Sequence, residues 1–306
     1  MNALIIGLGS IANRHISAIK ELDPNADIYA LRSAQSDIKF GVTNIFDLSQ
    51  IPSKIDFIII SNPTNLHLQT ISSMTSAGAP LMIEKPPVHT LNGIASLMEK
   101  IREDNTFTYV ACNMRFHPCI GFLKQHLDKS AAKINEVNVY CGSYLPDWRP
   151  DKDFRAIYSA NKNMGGGVHL DLFHEIDYTC WLFGFPESSA CFNSSKSSLD
   201  IDAEDYANFI FKYPSFNASI ILNYYRRIPK RSIEILFEDS TWYVDLINCT
   251  ITVDDNTIVF SCPEFKIADT YLKQMEYFID HINNGIQPMN TFAESLQILK
   301  LTLQDG

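Results

Sequence analysis

The first part of the chain constrains the fold more than any other stretch. An apolar run over residues 3–6 leads directly into Gly7-Leu8-Gly9-Ser10-Ile11-Ala12, and a helical pattern of apolar residues follows. A strand, a glycine turn and a helix in this order form the dinucleotide-binding fingerprint, here with alanine in the third glycine position. Gly7 permits the tight turn, Gly9 lets a pyrophosphate approach the backbone, and Ala12 is small enough for the helix to pack on the strand.

The phosphates of the dinucleotide are expected at the amino end of this helix. Ser10 and Ile11 lie in its first turn, where backbone N–H groups have no partner within the helix and the helix dipole favours anions. The sequence therefore predicts a cofactor site formed by Gly7, Gly9, Ser10, Ile11 and Ala12.

The end of the second predicted strand, residues 27–31, indicates which dinucleotide binds. Arg32 and Ser33 follow this strand, at the position where an acidic residue would bind the ribose hydroxyls of NAD. Arginine cannot accept those hydroxyl protons but can pair with a 2′-phosphate, so the sequence favours NADP, with NAD as the alternative. In that alternative Arg32 is a solvated loop residue, and Asp37 or another group contacts the ribose.

Strand and helix patterns alternate through residue 112, which predicts an α/β domain with a doubly wound parallel sheet. One of its strands, Leu81-Met82-Ile83, is followed at once by Glu84, Lys85 and Pro86. Because a proline follows it, Lys85 is held in an extended conformation. Ligands gather at the carboxyl ends of parallel strands, so Lys85 is a candidate site residue. The alternative is a surface lysine in a strand-to-helix turn.

The second half of the chain has a different pattern. From Glu204 to residue 260 short alternating segments follow one another, which predicts an antiparallel sheet, and the last 35 or so residues return to a helical pattern. The serine-rich stretch Ser188–Ser198 is expected to be a loop. We expect a dinucleotide-binding domain over residues 1–118 and a substrate and dimerisation domain over residues 119–306.

A glycine-rich segment in this half precedes a candidate catalytic helix. Three glycines, at positions 165 to 167, predict a loop, and a helix is expected to follow through about Leu182. Asp171, His174 and Asp177 are spaced by three residues and would share one face of that helix. A histidine beside carboxylates can exchange a proton near neutral pH. The alternative is a capped helix with a core histidine.

Composition and charge exclude several classes of function. The net charge is −10 and no stretch is rich in lysine or arginine, so no nucleic-acid partner is expected. No apolar segment reaches the roughly 18 residues that a membrane span requires, and the first residues resemble no signal peptide, so we expect a cytoplasmic protein without a membrane partner. The seven cysteines are scattered without CxxC spacing, which argues against a disulfide framework and against a metal site.

Several short motifs, in this order and at these separations, resemble the Gfo/Idh/MocA family, named after glucose-fructose oxidoreductase, inositol dehydrogenase and a rhizopine-catabolism protein. The resemblance extends over nearly the whole chain. The matching pieces are Gly7-Leu8-Gly9, Asn62-Pro63-Thr64 with His67, Glu84-Lys85-Pro86, Asn113-Met114-Arg115-Phe116-His117-Pro118, and the triple glycine with His174-Glu175-Ile176-Asp177.

The resemblance implies an amino-terminal Rossmann domain, a carboxy-terminal α+β domain with a large open, mainly antiparallel sheet, and a site in the cleft between them. A second subunit usually covers the exposed sheet face in such proteins, so a homodimer or homotetramer is expected. The bond before Pro86 is often cis in relatives. Cofactor contacts are expected from Asn62, Pro63, Thr64, His67, Glu84 and Lys85.

The resemblance also assigns Lys85 and His174 to the positions of the family's active-site lysine and histidine. Many relatives place the catalytic aspartate four residues before the histidine. Here that position is Leu170, and the aspartate is Asp171, three residues before. Asp171 is therefore the expected partner of His174, and Asp177 is its rival for the role of orienting the ring.

The segment from Tyr144 to Pro150 resembles a subgroup often associated with bacterial surface-polysaccharide and sugar biosynthesis. Its aromatic and arginine side chains can stack on sugar rings and pair with carboxylate or phosphate, which favours an anionic or nucleotide-linked sugar. The alternative is an arm that packs on its own or a neighbouring subunit. Expected substrate-binding residues are Lys85, Asn113, Arg115, Trp148, Arg149, Arg155, Asp171 and His174.

Together these features predict an NAD(P)-dependent oxidoreductase that transfers a hydride between nicotinamide and a secondary alcohol or ketone of a sugar-like substrate. In this hypothesis His174 carries the hydroxyl proton and Lys85 stabilises the charge that develops on the same oxygen. Two alternatives remain: a non-catalytic sensor of NADP or a sugar on the same fold, and a reductase of imines or enones.

Overall fold

A parallel sheet forms the centre of the first of two compact units. In the computed structural model, which describes residues 1–32, 41–51 and 54–304, all neighbouring strands of this sheet pair in parallel, in the order β3-β2-β1-β4-β5-β6. The strands are β1 (Asn2–Ile6), β2 (Asp27–Leu31), β3 (Thr43–Ile45), β4 (Phe57–Ile60), β5 (Leu81–Glu84) and β6 (Thr108–Ala111). Strands β4, β5 and β6 are buried along their whole length, as expected of strands covered on both faces.

Helices follow the strands of this sheet, and the predicted doubly wound Rossmann arrangement is confirmed. They are α1 (Ser10–Leu22), α2 (His67–Met74) and α3 (Ile94–Glu103). The Lys85–Pro86 bond after β5 is cis, as the resemblance implied.

A late helix completes the first unit. This unit comprises Met1–Asn113 and Ile267–Gln297, and the second unit comprises Met114–Lys266 and the residues from Ile298 onward. The continuous division expected at residues 118 and 119 therefore differs from the observed units. The physical reason is the apolar face of α7 (Ile267–Asn284), whose Phe278 packs edge-to-face on Phe57, with ring centroids 5.4 Å apart, in the core beside β1 and β4.

The second unit contains a mixed, mainly antiparallel sheet of eight strands, as predicted. Its order is β14-β13-β12-β11-β7-β10-β9-β8, and only the central β7–β10 pair is parallel among the described residues. The strands are β7 (Ile134–Tyr144), β8 (Ser188–Ser194), β9 (Tyr206–Lys212), β10 (Asn217–Asn223), β11 (Tyr225–Phe237), β12 (Thr241–Asp245), β13 (Thr250–Val253) and β14 (Thr257–Ser261).

The serine-rich stretch expected to be a loop is for the most part β8, a strand at the edge of this sheet. Helices α4 (Pro118–Leu127), α5 (Val168–Asp171) and α6 (Phe173–Phe183) belong to the same unit, and α8 (Phe292–Thr302) closes the chain. Within the described ranges, no helix combines the length and the apolar character needed to cross a membrane.

The two faces of the eight-stranded sheet differ in composition. Val139, Ile220, Ile233 and Val244 occupy paired register positions and are all buried. The register places Phe192, Ile210, Tyr243 and Ile258 on the opposite face, and all four side chains are exposed there. This opposite face is called the open sheet face below.

Candidate active site

The glycine turn after β1 has the geometry that the fingerprint predicts. Gly7 has a φ of +89°, which favours glycine, and a Cβ atom built there would lie 2.6 Å from both the Cα and the N atoms of Asn62. Ser61, just before Asn62, donates a hydrogen bond to the carbonyl oxygen of Gly7 over 2.9 Å. The turn after β1 and the loop after β4 are thus in backbone contact, which only a residue without a side chain allows.

The amino end of α1 fits a dinucleotide pyrophosphate. Gly9 is the N-cap residue, it has no side chain to cap the helix, and the first turn contains no acidic residue. A Cβ atom built on Gly9 would meet no other atom within 4 Å. The first N–H groups of the helix, at Ser10 and Ile11, therefore face a place that an anion can approach closely. Ala12 is fully buried and packs in the core against the sheet.

Arg32 directly follows β2, at the strand end where the ribose of a dinucleotide is expected. Its backbone N–H donates to the carbonyl oxygen of Ile45 at the end of β3, over 3.0 Å. Ser33 and Asp37 lie outside the described residues. That Arg32 binds the 2′-phosphate of NADP stays a prediction.

His67 joins the loops after β4 and β5. Its ring is buried, with Nε2 2.9 Å from the carbonyl oxygen of Asn62 and Nδ1 3.2 Å from those of Pro86 and Pro87. Burial lowers the pKa of His67, which favours the neutral ring. His67 was expected to contact the cofactor; in the structure its ring lies between backbone carbonyls of the loops around Asn62 and Lys85, and the protonated nitrogen of the neutral ring donates to the carbonyl oxygen on its side. Pro63 and Thr64 lie in the turn that leads into α2.

Lys85 stands directly after β5 and is half-buried. Glu84, the last residue of that strand, accepts a hydrogen bond from the Lys85 backbone N–H over 3.2 Å, and its Oε1 lies 2.6 Å from Nε2 of His15. His15 is fully buried in α1, so this contact ties α1 to the strand that Lys85 follows. The sequence interpretation missed His15, which has no motif of its own beyond its position in the helix that follows the glycines.

The helix expected after the triple glycine is broken. Leu172, with φ −95° and ψ 34°, separates α5 from α6, so Asp171 and His174 lie on different helices and the single helical face expected for them does not form. The glycine loop itself is tightly held: a Cβ atom on Gly166 would lie 2.1 Å from the carbonyl oxygen of Tyr158. At the break the Leu172 N–H still donates to the carbonyl oxygen of Val168, but its own carbonyl oxygen accepts from the N–H of Glu175, only three residues on.

Asp171 is held by a tyrosine that the sequence interpretation missed. Its Oδ2 accepts a hydrogen bond from the hydroxyl of Tyr224 over 2.5 Å, and both side chains are buried. Burial first, and the nearby Asp171 charge second, raise the pKa of Tyr224, so the phenol remains a donor. The ring of Trp148 packs edge-to-face on Tyr224, with centroids 5.4 Å apart, and its Nε1 donates to Ser143.

The ring of Tyr224 therefore links Trp148, in the segment from Tyr144 to Pro150, to the carboxylate of Asp171. Tyr224 follows β10 without any local motif, and no signal in the sequence points to it. Arg149 is exposed, and Arg155 is exposed with its guanidinium 4.5 Å from the ring centroid of Phe154. These two arginines stand in positions where an anionic group can reach them.

Arg115 and Asp177 form a buried, two-bond ion pair. Nε and one terminal nitrogen of Arg115 donate to the two carboxylate oxygens of Asp177 over 3.0 and 2.8 Å, and the side chains are only 1% and 0% exposed. Arg115 was expected to contact substrate, and Asp177 was the rival partner of His174. The two groups bind each other, and the partner of His174 stays a prediction, with Asp171 as the first candidate.

Asn113 ends the first stretch of the first unit and is also buried. Its Nδ2 donates to the hydroxyl of Thr270 in α7 over 2.6 Å. This bond fixes the side chain at the carboxyl end of β6, the same sheet edge that carries Lys85 after β5.

Two family models match the chain. Residues 1–112 match a model described as an oxidoreductase family with an NAD-binding Rossmann fold, and residues 129–243 match the GFO/IDH/MocA C-terminal domain. The chain is 24% identical to scyllo-inositol 2-dehydrogenase (NAD(+)) of Bacillus subtilis over 191 residues, which cover 59% of this chain and 53% of that protein. It spans little more than half the length of that relative and of two other curated oxidoreductases.

Solved structures share the fold at low identity. The WlbA dehydrogenase from Bordetella pertussis, in complex with NADH and UDP-GlcNAcA, has a TM-score of 0.80 at 20% identity, covering 98% of this chain and 93% of that one. Levoglucosan dehydrogenase in complex with NADH has a TM-score of 0.86 at 17% identity, covering 99% and 95%. With both family models matching in order along the chain, this protein belongs to the GFO/IDH/MocA oxidoreductase family.

Proposed function

We propose that this protein is an NAD(P)-dependent dehydrogenase that oxidises a secondary alcohol of a sugar-like substrate, or reduces the corresponding ketone. The observation that carries the proposal is the turn from β1 into α1. Gly7 touches the backbone of Asn62, while Gly9 leaves the amino end of α1 open to an anion. Gly9, Ser10 and Ile11 would hold the pyrophosphate, and the bound nicotinamide exchanges a hydride with the substrate carbon.

The proton and the developing charge are assigned to residues of this chain. His174 takes the hydroxyl proton when the alcohol is oxidised, and Asp171, held by Tyr224, is the carboxylate that orients its ring. Lys85 donates a hydrogen bond to the same substrate oxygen and stabilises its negative charge. Glu84, braced by His15, and His67 keep the Lys85 loop in place.

The exposed aromatic and basic groups of the second unit support a proposal for the substrate class. Trp148 can stack on a sugar ring, and Arg149 and Arg155 can pair with a carboxylate or phosphate. A nucleotide-linked or acidic sugar therefore fits better than a neutral free sugar. The complex of the similarly folded WlbA dehydrogenase with UDP-GlcNAcA supports this choice.

The cofactor is proposed to be NADP, because Arg32 follows β2 where an acidic residue would bind the ribose of NAD. The test is a parallel fluorescence titration with NADPH and NADH, using the wild type and Arg32→Gln. We expect NADPH to bind more tightly to the wild type, and Arg32→Gln to weaken NADPH but not NADH. Arg102→Gln, which removes an exposed arginine of α3, serves as the charge control. Equal binding of both dinucleotides to the wild type would overturn the NADP assignment.

A turnover assay distinguishes the proposed dehydrogenase from a non-catalytic sensor with the same fold. The protein with NADP+ is screened against nucleotide sugars and uronic acids, and reduced nicotinamide is followed by its absorbance. Formation of reduced cofactor with one of these substrates supports the dehydrogenase. Tight dinucleotide binding without turnover, either of secondary alcohols with NADP+ or of ketones, imines and enones with NADPH, would instead support the sensor.

A further inference from the structure

A cluster of thiols and one imidazole lies in the second unit and contains none of the residues assigned to catalysis. His117 is the N-cap residue of α4, Cys119 lies in the first turn of that helix, and Cys249 lies in the turn between β12 and β13. All three are buried, and their potential ligand atoms lie within 4.8 Å of one another. Residues 130 positions apart in sequence thus meet at one point.

The two thiols are separated by the distance that a tetrahedral ion requires. Their Sγ atoms are 3.7 Å apart. With zinc–sulfur bonds of roughly 2.3 Å, two ligands of a tetrahedron stand about 3.8 Å from each other. Cys249 also has a φ of 53°, a left-handed conformation that is uncommon for a residue other than glycine. The backbone of the turn is thus held in an unusual form at the residue that directs a thiol towards Cys119.

The hydrogen bonds of His117 show which ring nitrogen can bind a metal. Nε2 lies 3.1 Å from the carbonyl oxygen of Leu246, which can only accept, so Nε2 carries the proton. Nδ1 accepts a hydrogen bond from the backbone N–H of Cys119, over a long 3.2 Å, so its lone pair points to the start of α4. Histidines that bind metals commonly donate their other N–H to a backbone carbonyl in this way.

A third thiol stands beside the cluster. Cys262 follows β14 and is half-buried, and its backbone N–H donates to the carbonyl oxygen of Cys249 over 2.9 Å. Its thiol is not among the three ligand atoms that lie within 4.8 Å of one another, but its backbone bond to Cys249 makes it the candidate for a fourth ligand. Three sulfurs and one imidazole nitrogen form a ligand set typical of structural zinc sites.

We propose that His117, Cys119, Cys249 and Cys262 bind one zinc ion, through Nδ1 of the histidine and the three sulfurs. On binding, each thiol releases its proton to solvent, and the ion replaces the long hydrogen bond at Nδ1. No oxidation or reduction takes place. The site joins the start of α4 to the turns that follow β12 and β14, and so stabilises the second unit.

The test uses the full-length protein, freed of metal with a chelator and kept under a phosphine reductant, with Co2+ and Zn2+ as the probes. We expect one Co2+ per chain, with a sulfur-to-cobalt charge-transfer band that Zn2+ removes, and a higher Tm after one equivalent of Zn2+. Cys119→Ala and Cys249→Ala should lose the band. Cys191→Ala, which removes a buried cysteine of β8 outside the cluster, should keep it.

Cys262→Ser keeps the test decisive if the buried variants fail to fold, because this side chain is half-buried. We expect it to fold, as judged by circular dichroism, and to weaken Zn2+ binding by at least the roughly 10- to 100-fold that loss of a hydrogen-bond partner of a metal ligand costs. Absence of the charge-transfer band in the folded, reduced wild type would overturn the proposal. So would a band or a Zn2+ affinity unchanged in Cys119→Ala and Cys262→Ser, or a band lost in Cys191→Ala. None of these readouts depends on catalytic activity.

Discussion

His174 is the residue on which the proposed proton transfer depends. Replacing it with alanine removes the group that accepts the hydroxyl proton, so we expect kcat to fall by about 10²- to 10⁴-fold. NADPH binding should not change, because its proposed contacts lie at the amino end of α1. Steady-state kinetics and a fluorescence titration measure the two effects. His281→Ala, in α7, should leave both unchanged, and a loss in kcat of less than about tenfold in His174→Ala would contradict the assignment.

The second prediction at the scale of single residues concerns the contribution of the Arg115–Asp177 ion pair to stability. Arg115→Met keeps much of the side-chain volume but leaves the Asp177 carboxylate buried without its ion-pair partner. Removing one member of such a pair should lower the free energy of unfolding by about 3–5 kcal/mol. Urea denaturation measures this change.

The matched control for this prediction is Arg102→Met. Its guanidinium lies 3.7 Å from Glu99, with side chains 77% and 63% exposed, and pairs of this kind contribute about 0–1 kcal/mol. A loss of stability no larger in Arg115→Met than in Arg102→Met would show that the buried pair is not needed for folding.

At the scale of an element, the two glycines of the turn from β1 to α1 are expected to have different roles. Gly7 is needed for the stability of the fold, and Gly9 for binding of the dinucleotide. In Gly7→Ala the alanine has to keep the left-handed φ of Gly7, and its Cβ atom would lie 2.6 Å from the backbone of Asn62. We therefore expect the free energy of unfolding to fall by about 2 kcal/mol or more. Gly9→Ala adds a Cβ atom where nothing lies within 4 Å. It should cost about 1 kcal/mol or less as an N-cap change, yet weaken NADPH binding by about tenfold or more.

Thermal denaturation and NADPH titration of both variants test this separation. Gly9→Ala with normal NADPH affinity would contradict the role of the turn as the pyrophosphate site. A fully stable Gly7→Ala would contradict the close backbone contact between the loops after β1 and β4.

Because buried His67 joins the loops after β4 and β5, we expect the stability of the protein to depend on pH. Burial lowers the pKa of His67 in the folded protein, whereas the unfolded ring titrates near 6.5. The unfolded state therefore binds more protons below that pH, so the contribution of His67 is fully present above about pH 6.5 and is lost as the pH falls towards the folded pKa. Urea denaturation at several pH values should show a shallower decline in His67→Gln. If the free energy of unfolding declined identically with pH in the wild type and in His67→Gln, the proposed contribution of His67 would be contradicted.

At the scale of the whole molecule, the open sheet face predicts self-association. Phe192, Ile210, Tyr243 and Ile258 are exposed on it, and Ile258 keeps 63% of its accessible surface. A sheet face with apolar side chains is commonly covered by another layer, and the resemblance implied a homodimer or homotetramer. Light scattering after gel filtration should therefore give a mass of two or four times 34.7 kDa.

Tyr243→Asp places a charge on this face and should shift the mass towards that of a single chain. Ile286→Asp changes an exposed apolar residue of the first unit and should leave the mass unchanged. A wild type with the mass of one chain would contradict the prediction.

Local pattern determined much of the fold. The strand, turn and helix at the start of the chain could be predicted because their causes lie within a few neighbouring residues: an apolar run, a glycine with positive φ and a helical period. The same holds for Lys85, which directly follows the apolar run of β5 and whose backbone is restricted by the proline after it. The alternation of strands and helices was enough to predict the parallel sheet, and the β-rich pattern from Glu204 onward was enough to predict the antiparallel one.

Contacts between distant residues decided the rest. Nothing near Phe278 in the sequence indicates that α7 packs on the core beside β1, and no local pattern shows that Arg115 binds Asp177 or that Tyr224 binds Asp171. The cysteines are scattered along the chain, and only the fold brings the thiols of Cys119 and Cys249 together. The sequence by itself determined the local elements and the chemistry that spacing along the chain indicates. Only the tertiary structure decided partners, because burial and hydrogen bonding join groups that are far apart in sequence.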